Sequence, residues 1–339
     1  MTIREDPPVR AFAFDDYGKP LHEVDVPEPV VGDHDVLIQV GAAGLNHLDA
    51  KIRAGEFKLV LPYSRPLVLG HDVAGTVIEV GGSVRGLEPG DRVFARPRDP
   101  RIGTFAERIA VDAADVALAP ASVSTVEAAS LPLVTLTAWQ ALVERADLQP
   151  GQRVLVHAGA GGVGTVAIQL AKHLGAHVAT TASAANADFL RELGADVVVD
   201  HRSQDFAEVL SGYDLVLDSL GGENLARSLR VLRPGGLAIG IQGPPDPAYA
   251  RAAGLNPFLR LAIAGLSRSI RARAKKLGVA YEFLFMRADG DQLREIAALV
   301  DAGAIRPVVG SVRPFAETPQ ALAALGTAGL RGKAVVTVP

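Results

Sequence analysis

The stretch Arg153–Gly175, RVLVHAGAGGVGTVAIQLAKHLG, decides the fold. RVLVHA is an apolar run of strand length. VGTVAIQLAKHLG has a helical period that stacks Val163, Ala167, Leu170 and Leu174 on one face, with Gly175 placed to end it. Between the two lies Gly159-Ala160-Gly161-Gly162-Val163-Gly164, a GxGxxG pattern. With 35 glycines in the chain such a pattern arises easily by chance, so its context decides. Here a strand precedes it and a helix follows, as a phosphate-binding turn requires. Such a turn lets backbone approach a pyrophosphate with no Cβ in the way. The helix then offers unpaired N–H groups and the positive end of its dipole. A tight turn that holds nothing is the alternative, and the βα units that follow favour a dinucleotide.

Downstream the texture repeats. HVATTAS, DVVVDH, DLVLDSL and LAIGIQG read as strands, and ADFLRELG as a helix, with LARSLRVLRPGG leading into the last strand. Strands apolar along their whole length, alternating with helices, indicate a parallel sheet covered on both faces. The punctuation HLGAHV, ELGADV and RPGGLA supports this. Upstream, the first ~125 residues read as short strands between turns, among them DVLIQVGAAGL, PLVLGHDVAGTVIEVGG and GDRVFARP. Around Ser122–Arg145 the spacing of Ala and Leu becomes helical. The expected class is therefore α/β, a doubly wound parallel sheet plus a β-rich domain.

Composition bounds the function. At 339 residues the chain exceeds what one core usually organises, so two domains are expected. Thirty-eight acids against 34 Lys and Arg leave a net charge of −4, which argues against nucleic acid or an anionic membrane as main partner. There is no cysteine, hence no disulfide, thiolate chemistry or cysteine-ligated metal. The start, MTIREDPPVR, lacks the apolar core of a signal peptide. The longest uncharged stretches carry either four glycines (Val154–Ala171) or Pro132 (Leu131–Val143), so no membrane span is expected. A cytoplasmic location is the expectation. Asp246–Ala280 fits least well. Its basic residues include Arg251, Arg260, Arg268, Arg271, Arg273, Lys275 and Lys276, no acid falls between Asp246 and Glu282, and Leu259, Ile263, Leu266 and Ile270 form an apolar stripe. That pattern suits a surface helix packed on its own protein or a second subunit better than one lying on a membrane or acidic partner.

Cofactor choice depends on the end of the second strand. An NAD site usually places an acid there, on the ribose 2′-hydroxyl. Thr180–Asn186 has none; Ala182, Ser183 and Asn186 leave room for a 2′-phosphate, and His201 and Arg202 could offer it donors. NADP(H) is favoured by absence of repulsion.

With AGAGGVG, the segments AAGLNHLDAKIRAG, LPLVTLTAWQAL and RGKAVVTV resemble the medium-chain dehydrogenase/reductase superfamily, and within it the zinc-independent quinone oxidoreductase (zeta-crystallin-like) branch. The resemblance implies a GroES-like catalytic domain (residues 1–126 and 287–339) and a Rossmann domain (127–286), with the active site in the cleft beside the cofactor. Where zinc-dependent relatives have a Cys and a Gly-His-Glu motif, this chain has Asn46 and Gly70-His71-Asp72. No metal is expected, because tetrahedral zinc needs at least three protein ligands. His71 then reads as a relic of the metal site that serves as a hydrogen-bonding or cleft-lining group. The resemblance further implies nicotinamide and ribose contacts from Asn46, His47, Asp49, Lys51 and Thr137, although Thr135 replaces the family's Gly. It adds Ser219, backbone at Gly240, Ile241 and Gln242, and a ring-covering strand with Phe283, Phe285 and Met286. Lys333 matches a position near the adenosine phosphate. Asn46, Asp49, Tyr63 and His71 are the catalytic candidates, with no basis for choosing a proton donor. The implied activity is reduction of a quinone or enone by hydride from NADPH, by a homodimer paired through the Rossmann sheet edge. A zinc-type alcohol dehydrogenase and a non-catalytic, crystallin-like NADPH-binding protein are the rivals.

Overall fold

The computed structural model describes residues 8–326 and 329–339. Residues 1–7, on which much of the amino-terminal reading falls, lie outside the described residues. Two units divide the chain, one running up to Leu136 and resuming at Arg287, the other Thr137–Met286.

In Thr137–Met286 six parallel strands run in the order Val197–Asp200, His177–Ala182, Arg153–Val156, Tyr213–Asp218, Leu232–Gly240, Ala280–Phe283. Val154, Leu155 and Val156 are all fully buried, as are Val216 and its neighbours, so these strands are apolar because both faces are covered. The sequence order of strands reverses at Arg153–Val156. The two strands that follow it lie on one side and the next three on the other, which creates a crevice at the carboxyl end of that central strand. The glycine turn sits there, and the helix Gly162–His173 opens from it. Ala167 and Leu170 are buried as the helical period predicts, and Gly175 at φ +80° follows the helix end.

The other unit is built on a seven-stranded sheet. Its path is Val309–Pro314, Lys333–Thr337, Asp35–Leu45, Asp72–Val80, Arg92–Ala95, Val116–Leu118, and Arg108–Asp112 also pairs with Asp35–Leu45. A smaller sheet joins His22–Val26, Val9–Phe14 and Leu67–Val68. The larger sheet is antiparallel apart from its first pair. Phe14, Val36, Ile38, Val73 and Phe105 fill its core.

Two expectations are corrected. The helical stretch expected over Ser122–Arg145 is broken: Ser124 and Glu127 cap Thr125–Ala129, Pro132 starts a second helix to Trp139, and a π-helical segment follows to Arg145. Thr125–Ala129 packs on Asp35–Leu45 and Asp72–Val80, and the Leu133 amide donates to Asp72 Oδ1 at 2.7 Å. Those contacts hold Thr125–Ala129 and the start of the second helix to the first unit, and the division falls after Leu136. The basic segment is three short helices, Pro247–Ala252, Pro257–Leu266 and Arg268–Leu277, rather than one striped helix. Ile263 and Ile270 are buried, but Leu266 is 65% exposed, because the chain turns at Ser267 and ends the stripe.

Candidate functional site

Close approach requires two glycines of the turn. A Cβ on Gly159 would lie 2.1 Å from Thr180 Oγ1, and one on Gly164 2.4 Å from the Ala158 carbonyl. At Gly161 the nearest atom would be 3.3 Å away, so this position is open on its outer side. The amides of Gly162, Val163 and Gly164 belong to the first helical turn, where the helix itself supplies no acceptor. Together these groups can hold a pyrophosphate.

Below the turn lies a residue that sequence reasoning missed. His157 is buried, with Nδ1 3.0 Å from Thr181 Oγ1, Nε2 2.8 Å from Ser228 Oγ and its ring edge-on to Phe206 at 4.6 Å. Burial first, then the Arg227 charge, push its pKa down to about 4. It is a neutral strut that fixes the strand-to-turn junction. Ser219, expected at the cofactor, gives its hydroxyl to the His157 carbonyl at 3.2 Å.

At the ends of the next two strands the structure gathers the expected cofactor-selecting residues. The His201 amide donates to the Ala182 carbonyl at 3.1 Å, and Asn186 Nδ2 donates to Ser183 Oγ at 3.3 Å. Thr180–Asn186 itself holds no acid, but a carboxylate from the neighbouring strand lies beside it. Asp200, from the neighbouring strand, has its pKa lowered by the Arg202 amide first, with the Ser203 hydroxyl and the Ala184 amide adding. An ionised acid therefore sits against Ala184.

On the other side of the sheet, Gly240 ends its strand as expected. Its carbonyl accepts from Leu284 N, and the Ile241 amide donates to the Asp218 carbonyl at 2.9 Å. Those two backbone groups are already paired, and Gln242 follows them. The strand expected to carry Phe285 and Met286 stops at Phe283. Phe283 and Phe285 both pack on Tyr249, at 5.1 and 6.0 Å, which makes them parts of a local aromatic cluster. Thr137 is buried in the helix Pro132–Trp139, while Thr135 Oγ1 bonds back to the Leu131 carbonyl at 2.8 Å.

In the other unit four strands bring polar groups to one end of the large sheet. Ala334 pairs with Leu45, Gly44 with Asp72, and Val73 with Ala95, so Lys333, Asn46, Asp72 and Arg96 form a row. Asn46 caps the helix His47–Ala54, its amide donating to Asp49 Oδ2 at 2.7 Å. Asp49 Oδ1 holds His71 Nδ1 at 2.5 Å, and both side chains are fully buried. The Lys333 ammonium donates to the Leu45 carbonyl (2.8 Å), Asn46 Oδ1 (2.5 Å) and Asp72 Oδ2 (2.9 Å). Asn46 Nδ2 also donates to Asp72 Oδ2 at 2.9 Å. His47 lies at the rim, its pKa lowered by desolvation first and then by the Lys333 and Lys51 charges; Lys51 pairs with Glu56 at 3.6 Å. Burial, with the Asp99 charge next, raises the pKa of Tyr63, whose hydroxyl oxygen is enclosed.

One expectation about this cluster is corrected. Lys333 uses all three ammonium donors inside this unit, so an adenosine phosphate would have to displace one of its partners. Of the two roles expected for His71, the structure shows the hydrogen-bonding one: it is buried and oriented by Asp49. These residues do not fit zinc. The oxygens of Asn46 and Asp72 already surround a cation, and among the buried atoms of the described residues only one imidazole nitrogen, His71 Nε2, is left without a partner.

Residues 32–121 match the family described as Alcohol dehydrogenase GroES-like domain, and residues 193–336 the one described as Zinc-binding dehydrogenase. The chain is 35% identical over 326 residues to NAD(P)H oxidoreductase RTN4IP1, mitochondrial, of Danio rerio, covering 90% of this chain and 84% of that protein. It is 32% identical over 343 residues to NADPH-dependent alkenal/one oxidoreductase, chloroplastic, of Arabidopsis thaliana, covering 97% and 79%. Among solved structures, the quinone oxidoreductase from Coxiella burnetii superposes with a TM-score of 0.84 at 31% identity, covering 98% of this chain and 99% of that one. The glycine turn at the strand reversal, the antiparallel unit with its polar sheet end and these likenesses agree, and the chain belongs to the medium-chain dehydrogenase/reductase superfamily.

Proposed function

We propose that this protein is a zinc-independent, NADPH-dependent oxidoreductase that reduces quinones or α,β-unsaturated carbonyls. The observation that carries the reading is the glycine turn, whose Gly159 and Gly164 admit no side chain and whose following helix presents unpaired amides to a pyrophosphate. The bound cofactor supplies hydride, and the protein supplies orientation and hydrogen-bond donors. The Lys333-centred cluster supports the choice of acceptor. Asn46 and Asp72 are committed to an ammonium and not to a Lewis acid, and a conjugated acceptor needs only donors for the oxygen on which negative charge collects. The names of the Arabidopsis and Coxiella relatives, an alkenal/one oxidoreductase and a quinone oxidoreductase, point the same way.

His201 and Arg202 carry the preference for NADPH, and Asp200 beside Ala184 favours a second reading in which NADH is accepted as well. A cytoplasmic homodimer joined through the edge strand Ala280–Phe283 completes the proposal. Steady-state oxidation of NADPH and NADH with a panel of quinones and enones, alongside zinc analysis of the purified protein, tests it. Turnover with conjugated acceptors and substoichiometric zinc is expected. Silence across the panel with the cofactor still bound would leave a cofactor-binding protein, and stoichiometric zinc would return the alcohol dehydrogenase reading.

A further inference from the structure

The helices between Asp246 and Glu282 hold none of the glycine turn or the polar sheet end, yet they carry the most exposed apolar face of the unit Thr137–Met286. Asn256 Oδ1 accepts from the Leu259 amide at 3.0 Å and Pro257 fills the first turn, so the helix Pro257–Leu266 forms on its own cap. Within it Ile263 is buried, and Leu259 and Ala264 are half-buried. Phe258, Leu261, Ala262, Gly265 and Leu266, spaced i, i+3, i+4, i+7 and i+8, share another face. All five are exposed, Phe258 by 86% and Leu261 by 76%. The next helix, Arg268–Leu277, buries Ile270 and Ala274 in the core with Tyr281 and leaves Arg268, Arg273, Lys275 and Lys276 in solvent. None of these four cations pairs with a carboxylate among the described residues, and no acid occurs in the sequence between Asp246 and Glu282. Arg271 fixes the joint between the two helices, its Nε donating to Ser267 Oγ at 3.2 Å and its Nη2 to the Ala264 carbonyl at 2.9 Å.

We propose that this pair of helices is a docking surface for an anionic lipid membrane, with Phe258, Leu261 and Leu266 entering the acyl boundary and the cations of Arg268–Leu277 meeting the headgroups. Shape favours lipid. Side chains this exposed stand clear of their neighbours as a ridge, which a fluid bilayer envelops and a folded protein covers only with a matching groove. Charge disfavours a second copy seated face to face. A two-fold interface brings a patch against itself, and the unpaired cations would then meet their own copies. The net charge of −4 does not oppose docking, because at ~0.1 M salt charges beyond about 10 Å are screened and an approaching surface meets the local cations. No helix among the described residues is long and apolar enough to cross a membrane, so the attachment is peripheral. Docking of this kind is independent of the reaction proposed above.

The test is cosedimentation of the full chain with vesicles of phosphatidylcholine alone and of phosphatidylcholine mixed with phosphatidylglycerol, at low and high salt. Wild type is expected to partition onto the mixed vesicles at least roughly tenfold more strongly than onto the neutral ones, and to lose most of that preference in high salt. Phe258→Ser with Leu261→Ser removes apolar surface that the fold leaves in water, so the melting temperature stays level or rises while partition falls at least roughly tenfold. Arg268→Gln with Lys275→Gln and Lys276→Gln weakens partition roughly a hundredfold, at about fivefold per charge, and removes most of the salt effect with the fold intact. A wild type that ignores both kinds of vesicle, or binds them equally, overturns the proposal. Variants with wild-type melting curves that still bind as wild type does also overturn it. Two further results would do so by naming another occupant. A wild type blind to vesicles whose oligomer dissociates in the serine pair, seen by analytical ultracentrifugation, assigns the face to a second copy. A wild type blind to vesicles that binds polyglutamate assigns it to an acidic protein.

Discussion

Single residues in the turn separate fold from function. Gly159→Ala forces a methyl onto Thr180 Oγ1, and an overpacked site of this kind costs about 1–3 kcal/mol, so both stability and NADPH binding are expected to fall. Gly161→Ala is the informative contrast. Its methyl meets only one carbonyl at 3.3 Å, and its φ of −80° suits any residue, yet it stands where a pyrophosphate must approach. A melting temperature close to wild type with NADPH affinity reduced about tenfold, a loss of ~1.4 kcal/mol, is expected from thermal scans and fluorescence titration. His157 makes a prediction about pH. Its folded pKa of about 4 lies below the ordinary 6.5, so the unfolded chain takes up the proton first and stability is lost as pH falls from about 6.5 toward about 4. The loss approaches ~3 kcal/mol at the low end. His157→Asn should flatten that part of the stability-versus-pH curve measured by urea unfolding, and an unchanged slope would show that His157 does not govern it. The glycines were legible in the sequence because their partners in function are contiguous. His157 was not, since a lone histidine in an apolar strand carries no signal of the Ser228 hydroxyl that satisfies it.

Elements decide what the sequence conceals. The helix and strands around the turn could be read from periodicity because each is stabilised by its own apolar pattern. The polar sheet end could not, since Lys333 reaches Asp72 and Asn46 across 261 and 287 residues of chain, and only the register of Lys333–Thr337 against Asp35–Leu45 brings them together. Lys333→Met leaves the buried Asp72 carboxylate without its cation, and breaking a buried pair in this way costs about 3–5 kcal/mol. Chemical denaturation should report that loss, whereas a change below ~1 kcal/mol would mean that the Leu133 amide and Asn46 suffice for Asp72. Asp200 ends the strand whose neighbours His201 and Arg202 read as donors, and its own carboxylate acts in the opposite sense. Because its carboxylate lies against Ala184, Asp200→Asn is expected to raise the ratio of NADPH to NADH specificity roughly two- to fivefold, a modest gain because the group is exposed and screened. Steady-state ratios of kcat/KM for the two cofactors check this, and an unmoved ratio would place the 2′-phosphate away from these strand ends.

Across the whole molecule, composition and strand texture sufficed to anticipate an α/β chain with an antiparallel unit, because each kind of sheet writes its own hydrophobic period. What composition could not supply was the internal cation, which makes the absence of cysteines a feature of a site organised differently and not of one that is missing. Cofactor binding and metal dependence therefore separate at this scale. On the proposed function NADPH binds the unit Thr137–Met286 through its turn, and a ligand present at 100 times its Kd adds about 2.7 kcal/mol to the free energy of unfolding. For a unit of roughly 150 residues that corresponds to a rise of about 5–10 °C in the transition that reports it. Prolonged treatment with a chelator, by contrast, should leave both the melting profile and the NADPH-induced shift where they were, since Lys333 takes the place that a metal would need. Calorimetry of the untreated and chelated protein, each with and without NADPH, distinguishes the cases. A shift that disappears on chelation would show that a metal contributes to the cofactor-competent state and that the ammonium-centred cluster is not its substitute.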